Sequence, residues 1–234
     1  GNDGAIVGAT ALTTDRFNNP DAAYLFDGNN SYISIYPVSD VDSINDFTIS
    51  VWAYCNNWEE QVPVESNIVD VQYIFDGHSH SNNVQNDFYK EGFHIFYSLS
   101  ADNIKTLYNT IFYDKYNFYS AKLVTDIDIL NKWHHFTFIR KGTDTYHYID
   151  GNLIETNNVA NTSLNMQHKW FIGTFSGNNP NYNDFNYNFN GKIDDIRIYD
   201  RAITDAEVNY IYNFPSKIWV DTMEVNLKEK LHVP

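Results

Sequence analysis

Cysteine is nearly missing from this chain. Cys55 is the only one, which excludes an internal disulfide and a cysteine-rich zinc site. It closes the strand-like run FTISVWAYC and reads as a structural thiol, so cysteine usage says nothing about the compartment. Positive charge is scarce as well: 15 Lys and Arg face 30 Asp and Glu, a net charge of −15. That field repels a nucleic-acid duplex or an anionic membrane, and no basic cluster is dense enough to offset it. Cations, neutral polymers such as glycans, and basic proteins are the partners left. No apolar run reaches the roughly 18 residues of a membrane-spanning helix, and the opening GNDGA carries no signal-peptide pattern. With 11 Gly and 6 Pro among 234 residues, low complexity is excluded too.

Aromatic residues, in contrast, are abundant. They make up 17% of the chain, with 18 Tyr and 16 Phe, and they favour strands over helices. Period-2 alternation is the dominant pattern. FTISVWAY (47–54) puts Phe47, Ile49, Val51 and Ala53 on one face, and SYISIY (31–36) separates Ile33 and Ile35 from its Tyr and Ser residues. Further strands are expected in NIVDVQYIF (67–75), GFHIFYSL (92–99), LYNTIFY (107–113), KWHHFTFIR (132–140), TYHYI (145–149), KWFIGT (169–174) and KIDDIRIY (192–199). Asp150-Gly151 between two extended runs specifies a tight type I′ hairpin. Thr204 and Glu207 have the spacing of a capping box, so one short helix is expected over 204–213. Ten to thirteen strands with so little helix predict an all-β sandwich of two large sheets. Residues 1–213 form one domain on this reading. Residues 214–234 change character and form an extension, a linker or an added edge strand.

Three segments, AAYLFDGNNSYISI (22–35), DFTISVWAY (46–54) with KWHHFTFIRKGTDTYHYIDGNLI (132–154), and FNGKIDDIRIYDRAITDAEVNYIY (189–212), occur in an order and spacing that resemble the laminin-G-like, concanavalin-A-like jelly-roll domains of secreted bacterial proteins. The resemblance covers about residues 1–213. It implies a two-sheet jelly roll, a secreted or cell-surface location, and a role among lectins, carbohydrate-binding modules, adhesion modules and spacers. In one respect the chain departs from the pattern: such domains usually begin with a strand ahead of the GNDG-like turn, and here either that strand is lacking or the tail 214–234 fills its place. Residues 55–91 and 100–131 also look long and irregular for the family.

Candidate sites follow from both readings. On an alternating strand, Asp194 shares a face with Ile196 and Ile198, while Asp195 shares the other with Ile193, Arg197 and Tyr199. A carboxylate among apolar residues needs a partner or a cation, and Asp194 has no partner nearby in sequence, so a hard cation fits there. The resemblance implies a structural calcium at this Asp, with Gly28 and either Asp3 or Asp27 as further ligands. From the residues alone, Asp27 in FDGNN reads first as a turn former. His78 and His80 could reach one zinc ion from a strand, but a solvated loop explains them as well. His134 and His135 point to opposite sides of a strand and cannot share a site.

For catalysis, none of the eight Glu residues has the E-x-D-x-x-E spacing that jelly-roll glucanases carry, and adjacent Glu59 and Glu60 point apart. The chain therefore reads as a non-enzyme. Sugar rings stack on aromatic faces while amides and carboxylates bond their hydroxyls. Three places offer that mixture: Trp58 in CNNWEE; Tyr116 and Tyr119 in DKYNFYS; and Tyr182, Phe185 and Tyr187 in NNPNYNDFNYNFN (178–190). These rings either form a ligand rim or lie buried under a loop. The expected function is a non-catalytic, lectin-like glycan-binding module stabilised by calcium, with a protein-interaction module on the same fold as the alternative.

Overall fold

The computed structural model describes residues 4–35, 45–56, 68–77, 92–100, 105–112, 118–124, 129–160, 164, 169–175, 187–214 and 229–232. Their order is β1 (Ala5–Val7), β2 (Ala11–Thr13), β3 (Ala23–Asp27), β4 (Tyr32–Ile35), β5 (Phe47–Cys55), β6 (Ile68–Asp76), β7 (Gly92–Ser100) and β8 (Lys105–Phe112). There follow β9 (Phe118–Val124), β10 (Trp133–Lys141), β11 (Asp144–Ile149), β12 (Asn152–Asn158), β13 (Trp170–Ile172), β14 (Asn190–Tyr199), helix α1 (Asp205–Asn213) and β15 (Glu229–His232). The first sheet runs β1-β4-β13-β6-β7-β8-β9. The second runs β12-β11-β10-β5-β14-β3-β2, with β15 also on β14. This is the expected all-β, two-sheet sandwich with one short helix near the C-terminal end. The additional strands are mostly three- or four-residue edge pieces, too short to show an alternation. The stretches 55–91 and 100–131, long and irregular for the family, hold β6 and β8, both expected as strands, and β9, which was not; together they supply three of the seven strands of the first sheet.

Alternation sets the core. Phe47, Ile49 and Val51 of β5 are fully buried, as the period-2 reading requires, and face Phe93 and Ile95 of β7. The Phe93 and Phe138 rings stack across the two sheets with centroids 4.3 Å apart, and Phe47 packs edge-on to Phe93 at 5.8 Å. Phe189, at the end of the Asn-rich stretch, is fully buried. At the β11–β12 hairpin Asp150 and Gly151 take φ of 51° and 76°, the pair of left-handed conformations of a type I′ turn. The capping box of α1 is formed: Thr204 Oγ1 accepts the Glu207 N–H, and the Glu207 carboxylate accepts the Thr204 N–H. The helix lays Val208 and Ile211 on the outer face of the second sheet, against Ile139, Tyr148 and Tyr199. Among the described residues no helix is long and apolar enough to cross a membrane.

Strand β14 differs from its simple reading. Asp195 adopts φ 49°, and the register against β5 slips between Asp194 and Arg197. A bulge inserts one residue and so reverses the alternation beyond it. Ile193, Ile196 and Ile198 all face the core, and the carboxylates of both Asp194 and Asp195 bind the same guanidinium. The expected placement of Asp194 with Ile196 and Ile198 on one face is therefore corrected.

Candidate functional site

The outer face of the first sheet is unusual for what it carries. Phe93, Ile95 and Tyr97 of β7 and Leu107 and Ile111 of β8 belong to the core. The intervening residues of those two strands therefore point the other way. In β6 the register against β7 slips between Tyr73 and Phe75, and Ile74 and Phe75 both enter the core. Tyr73 and Asp76 are left on the outer face. Tyr73, Phe96 and Tyr108 lie opposite one another on β6, β7 and β8. Their rings stack in a ladder: Tyr73 to Phe96 at 4.8 Å and 18°, Phe96 to Tyr108 at 4.8 Å and 8°. The spacing is that of the strands themselves, so the sheet presets the ladder.

The next row is polar. Asp76 lies opposite His94, which lies opposite Thr110. Asp76 Oδ1 is 3.1 Å from His94 Nε2, and both residues are completely buried although they face away from the core. Part of their cover comes from the chain that follows β13. Phe175 and Tyr187 pack on Tyr73 at 4.8 and 5.7 Å, and Phe175 lies edge-on to His94. The Tyr73 N–H donates to the Tyr187 carbonyl, fixing that approach. Tyr73 and Phe175 are buried, while Phe96, Tyr108 and Tyr187 remain partly exposed. The surface thus combines partly open rings with a buried carboxylate–imidazole pair.

Of the rings expected at a ligand rim, Tyr187 belongs to this face. Tyr119 sits on β9 opposite Ile111, with its ring against the core, where a loop position was expected. Trp58, Tyr116, Tyr182 and Phe185 lie outside the described residues, as do His78, His80, Glu59, Glu60 and Asp3. Tyr73, Phe96, Tyr108 and Phe175 were missed. The signal for two of them was present: GFHIFYSL and LYNTIFY carry large rings on both faces, one face more than a core requires.

The second sheet shows what Asp194 does. Arg16, in the turn between β2 and β3, donates from one terminal nitrogen to Asp194 Oδ2 at 2.7 Å and from the other to Asp195 Oδ2 at 2.8 Å. Arg197 lies 3.6 Å from Asp195 Oδ1, so two guanidiniums balance two carboxylates. The Arg16 guanidinium also lies 4.5 Å from the Trp52 ring centre and 4.6 Å from that of Phe17. The Tyr212 ring of α1 stacks on Trp52 at 5.5 Å and 12°. Next to them, His135 shares a 2.7 Å hydrogen bond with Ser50, and burial, with the charges of Arg16 and Arg197, holds its imidazole down at about 3. It is neutral at physiological pH.

These contacts argue against a calcium ion at Asp194. A guanidinium already stands where the cation would sit. Asp27 is opposite Asn190, four residues back along β14, roughly 13 Å away at the rise of a strand. Its Oδ1 instead accepts the Asn29 N–H and closes a local turn. The Gly28 N–H donates to the Phe189 carbonyl. Asp27, Gly28 and Asp194 therefore do not surround one point, and among the described residues no three His, Cys, Asp or Glu side chains group to hold a metal.

Burial, then the neighbouring Asp195 charge, pushes Asp194 up to about 7, with Arg16 pulling the other way. Its folded pKa is raised above its unfolded value of 3.8, so protonation favours the folded state. This group's contribution is fully present below about pH 4 and is lost as pH rises through 7. Urea unfolding from pH 5 to 8 should show that loss, with a slope of at most about 1.4 kcal/mol per pH unit. Asp194→Asn should remove it. An unchanged slope in the variant would mean that another group titrates.

Comparison with known proteins places the chain among lectin-like folds. The family model described as the concanavalin A-like lectin/glucanases superfamily, of laminin G type, matches residues 27–209. Among solved structures, the binding domain of botulinum neurotoxin serotype G is 15% identical with a TM-score of 0.64, covering 91% of this chain and 46% of that one. The binding domain of botulinum neurotoxin DC in complex with SialylT is 17% identical with a TM-score of 0.61, over the same shares of each chain. The receptor binding domain of the C/D mosaic serotype is 11% identical with a TM-score of 0.62, covering 90% and 46%. The chain thus spans about half the length of these structures, and at such identities the likeness is one of fold. No curated protein matches the sequence.

Proposed function

Given that this chain belongs to the concanavalin A-like lectin/glucanases superfamily, we propose that it is a non-catalytic, carbohydrate-binding module of a secreted or cell-surface protein. The observation that carries this reading is the outer face of the first sheet. The partly exposed rings of Phe96, Tyr108 and Tyr187 offer apolar surface to sugar C–H groups. The Tyr108 and Tyr187 side chains also carry hydroxyls for hydrogen bonds, while the adjoining Asp76–His94–Thr110 row is buried and supports the face from beneath. The charge of −15 favours neutral glycans over acidic polymers. Trp58, Tyr116, Tyr182 and Phe185 remain candidates for the same rim. A non-catalytic role is supported by the lack of the glucanase carboxylate spacing and by the engagement of Asp194 and Asp195 with Arg16.

A panel of glycans and polysaccharides, screened with calcium present, tests the proposal. Tyr108→Ala and Tyr187→Ala should each weaken binding roughly tenfold or more, the equivalent of about 1.4 kcal/mol, without lowering the melting temperature much. Absence of binding to every member of the panel would sink it. Calcium has its own test: a melting midpoint that falls on adding EDTA would show a structural ion, and no shift would count against one. A second reading, a protein-interaction or adhesion module, draws on α1. There Tyr210 and Phe214 stack at 4.8 Å while 43% and 46% exposed, an apolar pair turned away from the sheet.

A further inference from the structure

Strand β14 is central in the second sheet, yet its two edges are covered very differently. On one edge β5 runs along it from Gly191 to Tyr199. On the other, β3 covers Asn190–Ile193 only. At the bulge that follows, the Arg16 side chain takes over by binding Asp194 and Asp195. Beyond the bulge, β15 pairs Arg197 with His232, Ile198 with Leu231 and Tyr199 with Glu229. With β15 in place Arg197, Ile198 and Tyr199 are only 8, 4 and 1% exposed. Left open, this part of the edge would present unpaired N–H and C=O groups, a template for another strand. Among the described residues, the strand that fills it pairs with β14 alone and with three residues.

The geometry points to the Arg197–Tyr199 edge of β14 as a strand-accepting slot, filled within one chain by β15 and open to the same strand of a second copy. Fourteen residues, 215–228, join Phe214 to β15. An extended chain of that length reaches roughly 46–50 Å, more than the width of a small domain. A β15 strand can therefore leave its own β14 and enter that of a neighbour without altering the three register pairs, and each copy regains in trans what it gives up in cis. The slot fixes direction and register. β15 is antiparallel to β14 and runs the same way as β3, in line with it, and Leu231 stands opposite the core-facing Ile198. An extended segment with an apolar residue at that register position is what fits.

A peptide of residues 225–234 carrying a fluorophore tests the slot, and the full-length variant Lys230→Pro with Leu231→Pro empties it. Of two consecutive strand residues one N–H must face the partner, so the double change removes a ladder bond whichever it is. The peptide should bind the variant at least tenfold more tightly than the wild type, whose slot is occupied, and should restore part of the variant's lost melting temperature. A variant that melts like the wild type and ignores the peptide would overturn the slot. The second-copy claim is read on the wild type alone. Isotopically light and heavy batches are mixed at several hundred micromolar, held just below the melting temperature, and examined by native mass spectrometry. Mixed dimers are expected, and they should be suppressed by excess peptide. Persistent monomers would overturn exchange. Mixed dimers indifferent to the peptide would assign the contact to another surface.

Discussion

Replacing Arg16 with methionine is expected to lower the unfolding free energy by up to about 3–5 kcal/mol at pH 8, the cost of removing one partner from a buried ionic group. The loss should be smaller at pH 6, where Asp194, with its pKa of about 7, is largely protonated. The side chain is only 6% exposed, and so are those of the two aspartates it binds. Methionine keeps an unbranched apolar stem between Trp52 and Phe17, so packing is largely preserved and the loss falls on charge. Arg197 stays within 3.6 Å of Asp195 and can hold one carboxylate; Asp194 then has burial and a like charge beside it. Lysine should rescue poorly, because one ammonium cannot present the two-pronged, flat donor that spans both aspartates and stacks on indole. The urea midpoint at unchanged m-value is the measurement. A loss below about 1 kcal/mol, the range of a surface ion pair, would refute the assignment of this cluster as buried and interdependent. Asp194→Asn with Asp195→Asn in the Arg16→Met background should recover much of the deficit, since the stranded charges are then gone.

Gly191→Ala comes next in expected effect. A Cβ there would stand 2.0 Å from the Tyr54 carbonyl oxygen and 2.9 Å from the Phe189 ring. Gly191 is paired on both sides, with Phe26 of β3 and Cys55 of β5, so neither neighbour can retreat without breaking a ladder. Ordinary overpacking costs about 1–3 kcal/mol; a clash with doubly held backbone belongs at or above the top of that range, about 3 kcal/mol or more. Gly142→Ala is the control. It has a left-handed φ, 59°, and nothing lies within 4 Å of its Cβ, so it should cost only about 1 kcal/mol of backbone strain. Equal losses at the two positions would show that conformation, rather than the Tyr54 contact, governs both.

Much of this fold was legible because alternation is a local signal. Phe47, Ile49 and Val51 could be assigned to the core from their spacing, and Thr204 with Glu207 marked the start of a helix, since each pattern is complete within a few residues. The Asp194–Arg197 bulge was not legible. One inserted residue changes no composition, and Asp195 announces its left-handed backbone only through the general tolerance of Asp for that region. Reading through it as a plain strand put Asp194 on the wrong face and left it without a partner. Its partner, Arg16, lies far away in sequence, in a turn whose own residues give no hint of the contact. The aromatic ladder was half visible. Phe96 and Tyr108 stood out as rings in excess of one core face, but the pairing that brings Tyr73 beside them depends on a second bulge, at Tyr73–Phe75. The rings picked from the Asn-rich stretch were chosen for their surroundings in sequence; Tyr187 joins the ladder because a backbone hydrogen bond brings it there.

The clamp between Arg16 and β14 also bears on the order of events when the chain folds. It joins residues 178 and 179 positions apart, nearly the full span of the domain. Closing so long a loop is entropically expensive until other contacts have drawn its ends together. The clamp is therefore expected to form after the rate-limiting step, with its energy absent from the transition state. Loss of Arg16 should leave the refolding arm of a chevron almost unmoved and steepen escape from the native state instead. A matching drop in the refolding rate would mean that the N-terminal arm docks early. The two aspartates and their distant arginine act, on this view, as a lock turned last, and they govern how long the folded domain survives more than how fast it is made.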